Sequence, residues 1–182
     1  MPQRISIRGC SGSGKSTLGG ELSRLLNLPY HELDAIMHGP DWKPTPEEEM
    51  KALVAEIAAG DRWIIDGNYR FVQPIITKRV DLVVALDLPR YLIMSRLVWR
   101  TLSRIATREE LWNGNTEQWR NLFNTDPEEN IILWGWTQHP QHRKQIDALV
   151  RESAHGGPPV VRLTSRDQVR HFVQSLETGV RP

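Results

Sequence analysis

With 182 residues, 39% of them hydrophobic, the chain has material for one well-buried core, since single domains commonly run to about 100–200 residues. Its 23 Lys plus Arg against 22 Asp plus Glu leave a formal charge of +1, which argues against direct nucleic-acid binding, because proteins that follow a phosphate backbone carry a basic excess. The only cysteine is Cys10, which excludes an intrachain disulfide. A lone thiol fits a reducing cytoplasm, the expected location. The first residues lack the apolar stretch of a signal peptide, and no run reaches the ~20 residues that span a bilayer, so no membrane partner is expected.

Short apolar runs alternate with helical periodicity, which predicts an α/β fold with a mainly parallel sheet. A first strand is expected over residues 4–8. It leads into Gly9-Cys10-Ser11-Gly12-Ser13-Gly14-Lys15-Ser16, which fits G-x-x-x-x-G-K-[ST] without a departure, and Thr17 extends it. The chemistry demands this composition. Glycines let the backbone turn so that several N–H groups face one anion, and the following helix adds its positive end. Gly9, Ser11, Gly12, Ser13, Gly14, Lys15, Ser16 and Thr17 are therefore read as binding the phosphates of ATP. Lys15 reaches the β- and γ-phosphates, and the Ser16 hydroxyl joins a magnesium site. An amphipathic helix follows, with Leu18, Leu22, Leu25 and Leu26 on one stripe.

Residues 28–33 read as a second strand that ends at Asp34. The Pro-rich stretch 38–46 is irregular, and Thr45-Pro46-Glu47-Glu48 predicts a helix start with Thr45 as N-cap and Pro46 at the first position. That helix should run to Ala59 and stop at Gly60. Unbroken apolar runs at 62–66 and 80–88 predict strands buried on both faces. Both end near an aspartate, Asp66 and Asp87, and ligands of doubly wound sheets bind at such carboxyl ends. Either could complete a magnesium site, and either could instead cap a turn.

Asp66-Gly67-Asn68-Tyr69-Arg70 resembles the Asp-Gly-Phe-Pro-Arg motif of adenylate kinases. With the phosphate loop, Leu33-Asp34, Asp41-Trp42 and Leu86-Asp87-Leu88-Pro89-Arg90, the first half of the chain resembles the adenylate-kinase-like P-loop proteins called topology modulation proteins. The resemblance implies a P-loop nucleotide-kinase fold: a five-stranded parallel sheet in the order 2-3-1-4-5 with helices on both faces. It implies one domain over 1–182, with an acceptor-binding flap at about 34–60 and a helical lid at about 104–120. It also implies that Asp66 orders magnesium and that Arg70 binds a phosphate of the acceptor. Replacement of Phe-Pro by Asn68-Tyr69 leaves the acceptor open. Asp34 matches the position at which shikimate and gluconate kinases contact the acceptor hydroxyl, and it is the candidate base if the acceptor is an alcohol.

A long helix is expected after Pro89, a loop at 107–116, Trp-rich helical segments over 117–152, a strand at 160–163 and a closing helix over 166–176. Arg96, Arg100, Arg104 and Arg108 recur every four residues with no acid between Asp87 and Glu109, so all four lie within about 120° of one helix face. A solvated face would explain the stripe. A lid that brings guanidinium groups onto the moving phosphoryl explains it as well, and Arg104 and Arg108, then Arg120, are the candidates for that role. Trp112, Trp119, Trp134 and Trp136 are read as packing under the lid rather than stacking on a base. His139 and His142 lack further ligands for a metal. The expected activity is ATP- and magnesium-dependent transfer to a small-molecule acceptor by a monomer or homodimer. A nucleoside monophosphate is the first choice of acceptor, an unphosphorylated metabolite or nucleoside the alternative, and an ATP-binding regulator the rival of another class.

Overall fold

The computed structural model describes residues 1–116, 126 and 130–178. Five parallel strands form one sheet in the order β2-β3-β1-β4-β5: β1 Arg4–Gly9, β2 Tyr30–Glu32, β3 Trp63–Asp66, β4 Leu82–Leu86 and β5 Val160–Leu163. The α-helices are α1 Lys15–Leu26, α2 Leu33–Met37, α3 Glu47–Ala59, α4 Gln73–Thr77, α5 Arg90–Thr107, α6 Ile131–Ala154 and α7 Arg166–Glu177. The strand order matches the expectation.

Alternation along the strands divides the core in two. Ile5, Ile7, Ile64, Val84 and Leu86 face Leu18 and Leu22 of α1 and Phe172, Val173 and Leu176 of α7. Trp63 and Ile65 face the other way, against Leu33, Met50, Val54, Val72 and Ile76. Each such side chain, removed from water entirely, contributes roughly 1.5–3 kcal/mol before the entropy of ordering it is counted. On β1 this second face carries polar side chains, Ser6 and Arg8, both buried. Helix α6 packs against β1, β5 and α5.

Two local expectations are corrected and a third is refined. The second strand is only Tyr30–Glu32, because Leu33 turns into the core and opens α2, so Asp34 sits in the first turn of a helix rather than at a strand end. Thr45 does not cap α3: its Oγ1 donates to the Ile36 carbonyl at 2.5 Å, and Pro46 occupies the cap position. The loop at 107–116 contains a 3₁₀ turn, Trp112–Gly114, clasped by a bridge between Glu110 and Thr116. Among the described residues no helix is long and apolar enough to cross a membrane.

Candidate active site

Gly9, Gly12 and Gly14 have φ of 153°, 82° and 97°, and the last two lie in the left-handed region that side chains avoid. A Cβ at Gly12 would stand 2.9 Å from the Ile93 carbonyl, so α5 is pressed onto the loop. Inside the loop the Cys10 carbonyl accepts from the Ser13 N–H at 3.1 Å and from Lys15 Nζ at 3.4 Å. The Ser13 hydroxyl is buried with no hydrogen-bond partner. An orphaned hydroxyl and an inward-turned ammonium at a helix start suit a phosphate chain. Arg96 of α5 stands over the same loop, with Nη1 3.5 Å from the Ser13 carbonyl.

Beside the loop, at the carboxyl ends of β2 and β3, carboxylates converge. Asp66 is almost wholly buried, and Glu32 pairs with it in register. Tyr30 Oη lies 2.5 Å from Asp66 Oδ2 and 2.9 Å from Glu32 Oε1. A phenol has one hydrogen to give, so Tyr30 donates to only one of these two carboxylates. Burial pushes the Asp66 carboxyl up to about 6, although Lys15 and the Tyr30 bond oppose it. Burial also pushes Glu32 up, but bonds from Ser16, Trp112 and Tyr30 outweigh it and hold Glu32 below the usual glutamate range. Ser16 lies within hydrogen-bond reach of both Glu32 and Tyr30. Oxygen donors that include two carboxylates fit hydrated magnesium, which keeps several waters and shares phosphate oxygens. Among the described residues no three His, Cys, Asp or Glu side chains could hold a metal by themselves.

Asp34 reaches the same region from α2, where it accepts from Tyr69 Oη at 2.8 Å and lies close enough to Asp66 to raise its pKa. Asp87 is engaged elsewhere. Arg162 donates to it through Nε at 2.9 Å and again through Nη2, and Arg162 also holds Asp147 at 2.8 Å. Arg70 is exposed and lines a cavity between α4 and α6.

The arginine stripe is spread out along α5. Arg104 and Arg108 are eight and twelve residues beyond Arg96, roughly 12 and 18 Å farther along the axis. Arg104 is 3.6 Å from Glu109, and Arg108 ends the helix with φ of 51°. Arg120 and Trp119 lie outside the described residues. The turn at 112–115 is bonded to residues 32–42: Trp112 Nε1 donates to Glu32 Oε2 at 2.7 Å, the Trp42 N–H to Asn115 Oδ1 at 2.9 Å and Asn115 Nδ2 to the Gly39 carbonyl at 2.9 Å. Trp136 stacks under the Arg90 guanidinium at 3.4 Å.

Sequence reasoning passed over Tyr30, Glu32, Arg8 and His142 as site residues. Glu32 had a signal, since it ends a strand two residues before Asp34. His142 is pushed down to about 4, chiefly by burial and then by the charge of Lys15, with His139 a minor neighbour. Its neutral form is the folded form, so between pH 6.5 and 4 the unfolded chain takes up a proton that the folded chain refuses. Stability is therefore lost as pH falls through that window, by about 2 kcal/mol at pH 5. Asp66 works in the opposite direction over part of the same range, so the comparison must be differential. His142→Gln is expected to lose less stability than wild type between pH 7 and 5 in urea titrations. Parallel losses would show that His142 titrates normally.

No family model matches the sequence, and no curated protein matches it. Solved structures do match. Shikimate kinase from Acinetobacter baumannii in complex with shikimate is 19% identical, with a TM-score of 0.54 over 96% of this chain and 90% of that one. Shikimate kinase from Bacteroides thetaiotaomicron is 17% identical, with a TM-score of 0.52 over 98% of both chains. A gluconokinase from Sinorhizobium meliloti is 17% identical, with a TM-score of 0.50 over 98% of this chain and 91% of that one. The fold is the P-loop kinase fold. Within it, the carboxyl ends of β1, β2 and β3 are where Lys15, Ser16, Glu32, Asp34 and Asp66 have been brought together.

Proposed function

We propose that the protein is a magnesium-dependent kinase that moves the γ-phosphoryl of ATP onto a hydroxyl of a small, non-nucleotide metabolite. The observation that carries this reading is the crowding of Glu32, Asp34 and Asp66 beside Lys15. An acceptor presenting a second phosphate there would meet three carboxylates, whereas an alcohol can donate its hydrogen to one of them. The solved structures with this fold support the same choice, being shikimate kinases and a gluconokinase, named for small non-nucleotide metabolites. The resemblance to topology modulation proteins agrees with the phosphate loop and names no acceptor. The nucleoside monophosphate reading rests on Arg70 and is the second choice.

In this reading the acceptor oxygen attacks the γ-phosphorus while its proton passes to Asp34. The bond from the γ-phosphorus to the β,γ-bridging oxygen breaks, and ADP leaves. Tyr69 holds Asp34 in place by its 2.8 Å bond. Lys15 and the loop N–H groups offset charge on the phosphoryl oxygens, with Arg96 at the loop edge. Arg104, Arg108 and Arg120 are the candidates to join them, in a reading that takes about 104–120 as the lid and about 34–60 as the acceptor-binding flap. Ser16 and Asp66, helped by Glu32, would hold magnesium, which when bound neutralises charge between the β- and γ-phosphates. A cytoplasmic location goes with this reading, and a charge of +1 gives no support to direct DNA binding.

The test is a screen of small alcohols and nucleoside monophosphates, read as acceptor-dependent ADP release. Wild type is expected to respond to an alcohol. Lys15→Ala should weaken ATP binding by about tenfold or more, because a charge-assisted contact is worth roughly 1.5–3 kcal/mol. Wild-type binding and turnover in that variant, or no acceptor-dependent release by wild type, would remove the kinase reading.

A further inference from the structure

Arg8 is the last side chain of β1 before the phosphate loop and is only 6% exposed. Its Nε donates to Ser6 Oγ at 2.9 Å, and no carboxylate among the described residues pairs with it. Other arginines at the sheet are matched: Arg4 holds Asp81 at 2.6 Å, and Arg162 holds Asp87 and Asp147. A buried guanidinium without a counter-charge is unfavourable unless something anionic meets it. Burial pulls Arg8 down to about 9, which still leaves it protonated at neutral pH.

Arg8 lines a cavity of ≈ 350 Å³ between α4 and α6. Gly9, Asn68, Arg70 and His142 line it too, and Glu152 is the one acid in the lining. Glu152 lies ten residues, roughly 15 Å, beyond His142 along α6. Asn68 is fixed against the loop, donating through Nδ2 to the Gly9 carbonyl at 2.6 Å. His142, held neutral, and Arg70 at the rim add hydrogen-bond donors without adding negative charge. The volume is at the small end of ligand sites, which run to about 300–1,000 Å³.

We propose that this cavity is a subsite for an anionic group, a carboxylate or a phosphate, carried by the acceptor away from its reacting hydroxyl, with Arg8 as its charge partner. The proposal rests on the kinase reading for the word acceptor and sharpens it to a hydroxylated anion. The connection is geometric. Gly9 belongs to both the cavity and the phosphate loop, and Lys15 acts electrostatically on His142 as well as on Asp66. An anion held by Arg8 would lie beside Gly9, where the phosphate loop opens. A planar guanidinium suits either oxyanion, binding it through two parallel N–H bonds.

The experiment uses a matched set of probes: ribitol, ribonate and ribose 5-phosphate. Each is titrated calorimetrically into the full chain with saturating magnesium ADP, so that the phosphate loop is already occupied. Wild type is expected to bind ribonate or ribose 5-phosphate at least tenfold more tightly than ribitol. The tighter of the two anions identifies carboxylate or phosphate as the group recognised. Arg8→Gln should abolish that preference, Arg8→Lys should restore part of it, and ADP affinity should stay within twofold in both. Equal binding of ribitol and the anions by wild type overturns the subsite whether or not the variants fold, and so does an undiminished preference in a folded Arg8→Gln. ADP release in the acceptor screen is scored separately. Anion preference without any acceptor-dependent release keeps the subsite and sinks the kinase reading, while release without anion preference does the reverse.

Discussion

Asp66→Asn is expected to lower turnover by about 10²–10³-fold while leaving ATP affinity nearly unchanged, and to leave the free protein no less stable than wild type. The two halves have one cause. Asp66 is buried among other acids, so its charge is unfavourable until a cation arrives. Its folded pKa, raised to about 6 from 3.8, means that folding is opposed by this group above pH 6 and not below pH 3.8. Asparagine keeps the shape and removes that opposition, so the midpoint of urea unfolding at pH 7 without magnesium should stay or rise. It also removes the charge that orders the metal. Asp87→Asn should do the opposite. It strips Arg162 of its nearest partner at a mostly buried pair and should cost about 2–3 kcal/mol of stability, with turnover per folded molecule retained. If Asp87→Asn abolishes turnover and Asp66→Asn spares it, the metal belongs to the other strand end.

That pair of aspartates also marks where the sequence stopped being informative. Both follow apolar strand runs, and nothing local separates them. What separates them is Arg162, 75 residues away from Asp87, arriving on β5 next to β4. The course of the phosphate loop, by contrast, was legible, because its glycines answer to positive φ and the lysine and serine open the helix that follows. The strand order followed from the resemblance carried by a few such motifs. Asp34 was expected at a strand end, whereas it belongs to a helical turn opened by the buried Leu33.

The arginine stripe shows a different limit. Periodicity put Arg96, Arg100, Arg104 and Arg108 on one face, whereas α5 ends at Thr107 and leaves Arg108 off it, and only packing shows which of them meets the loop. Gly12 against Ile93 and Leu97 fixes the first half of α5 there, so Arg96 is the one that stands over the loop. Arg8 was invisible for a related reason. In a strand reading it is one more alternating residue, and its isolation from every carboxylate among the described residues is a fact of the three-dimensional arrangement.

Asp34→Asn and Arg70→Ala together decide what kind of oxygen is phosphorylated. If it is an alcohol, its proton must leave in the transition state, and a positioned base is worth about 10²–10⁴ in rate. Asp34→Asn should then lower kcat by that order with little change in the Michaelis constant for ATP. Tyr69→Phe, which removes the bond that orients Asp34, should give a smaller loss of the same kind. Arg70 is exposed, so its truncation should raise the acceptor Michaelis constant only a few-fold and leave kcat alone. If the oxygen belongs to a monophosphate, it is already ionised and no base is needed. Asp34→Asn would then be mild, and Arg70→Ala would weaken acceptor binding by roughly 1.5–3 kcal/mol through loss of a charge-assisted contact. Steady-state kinetics of the three variants, against whichever acceptor the screen returns, separate these patterns. A crippled Arg70→Ala beside an active Asp34→Asn would overturn the hydroxyl reading. Indifference to both would move the acceptor away from the ends of β2 and β3 altogether.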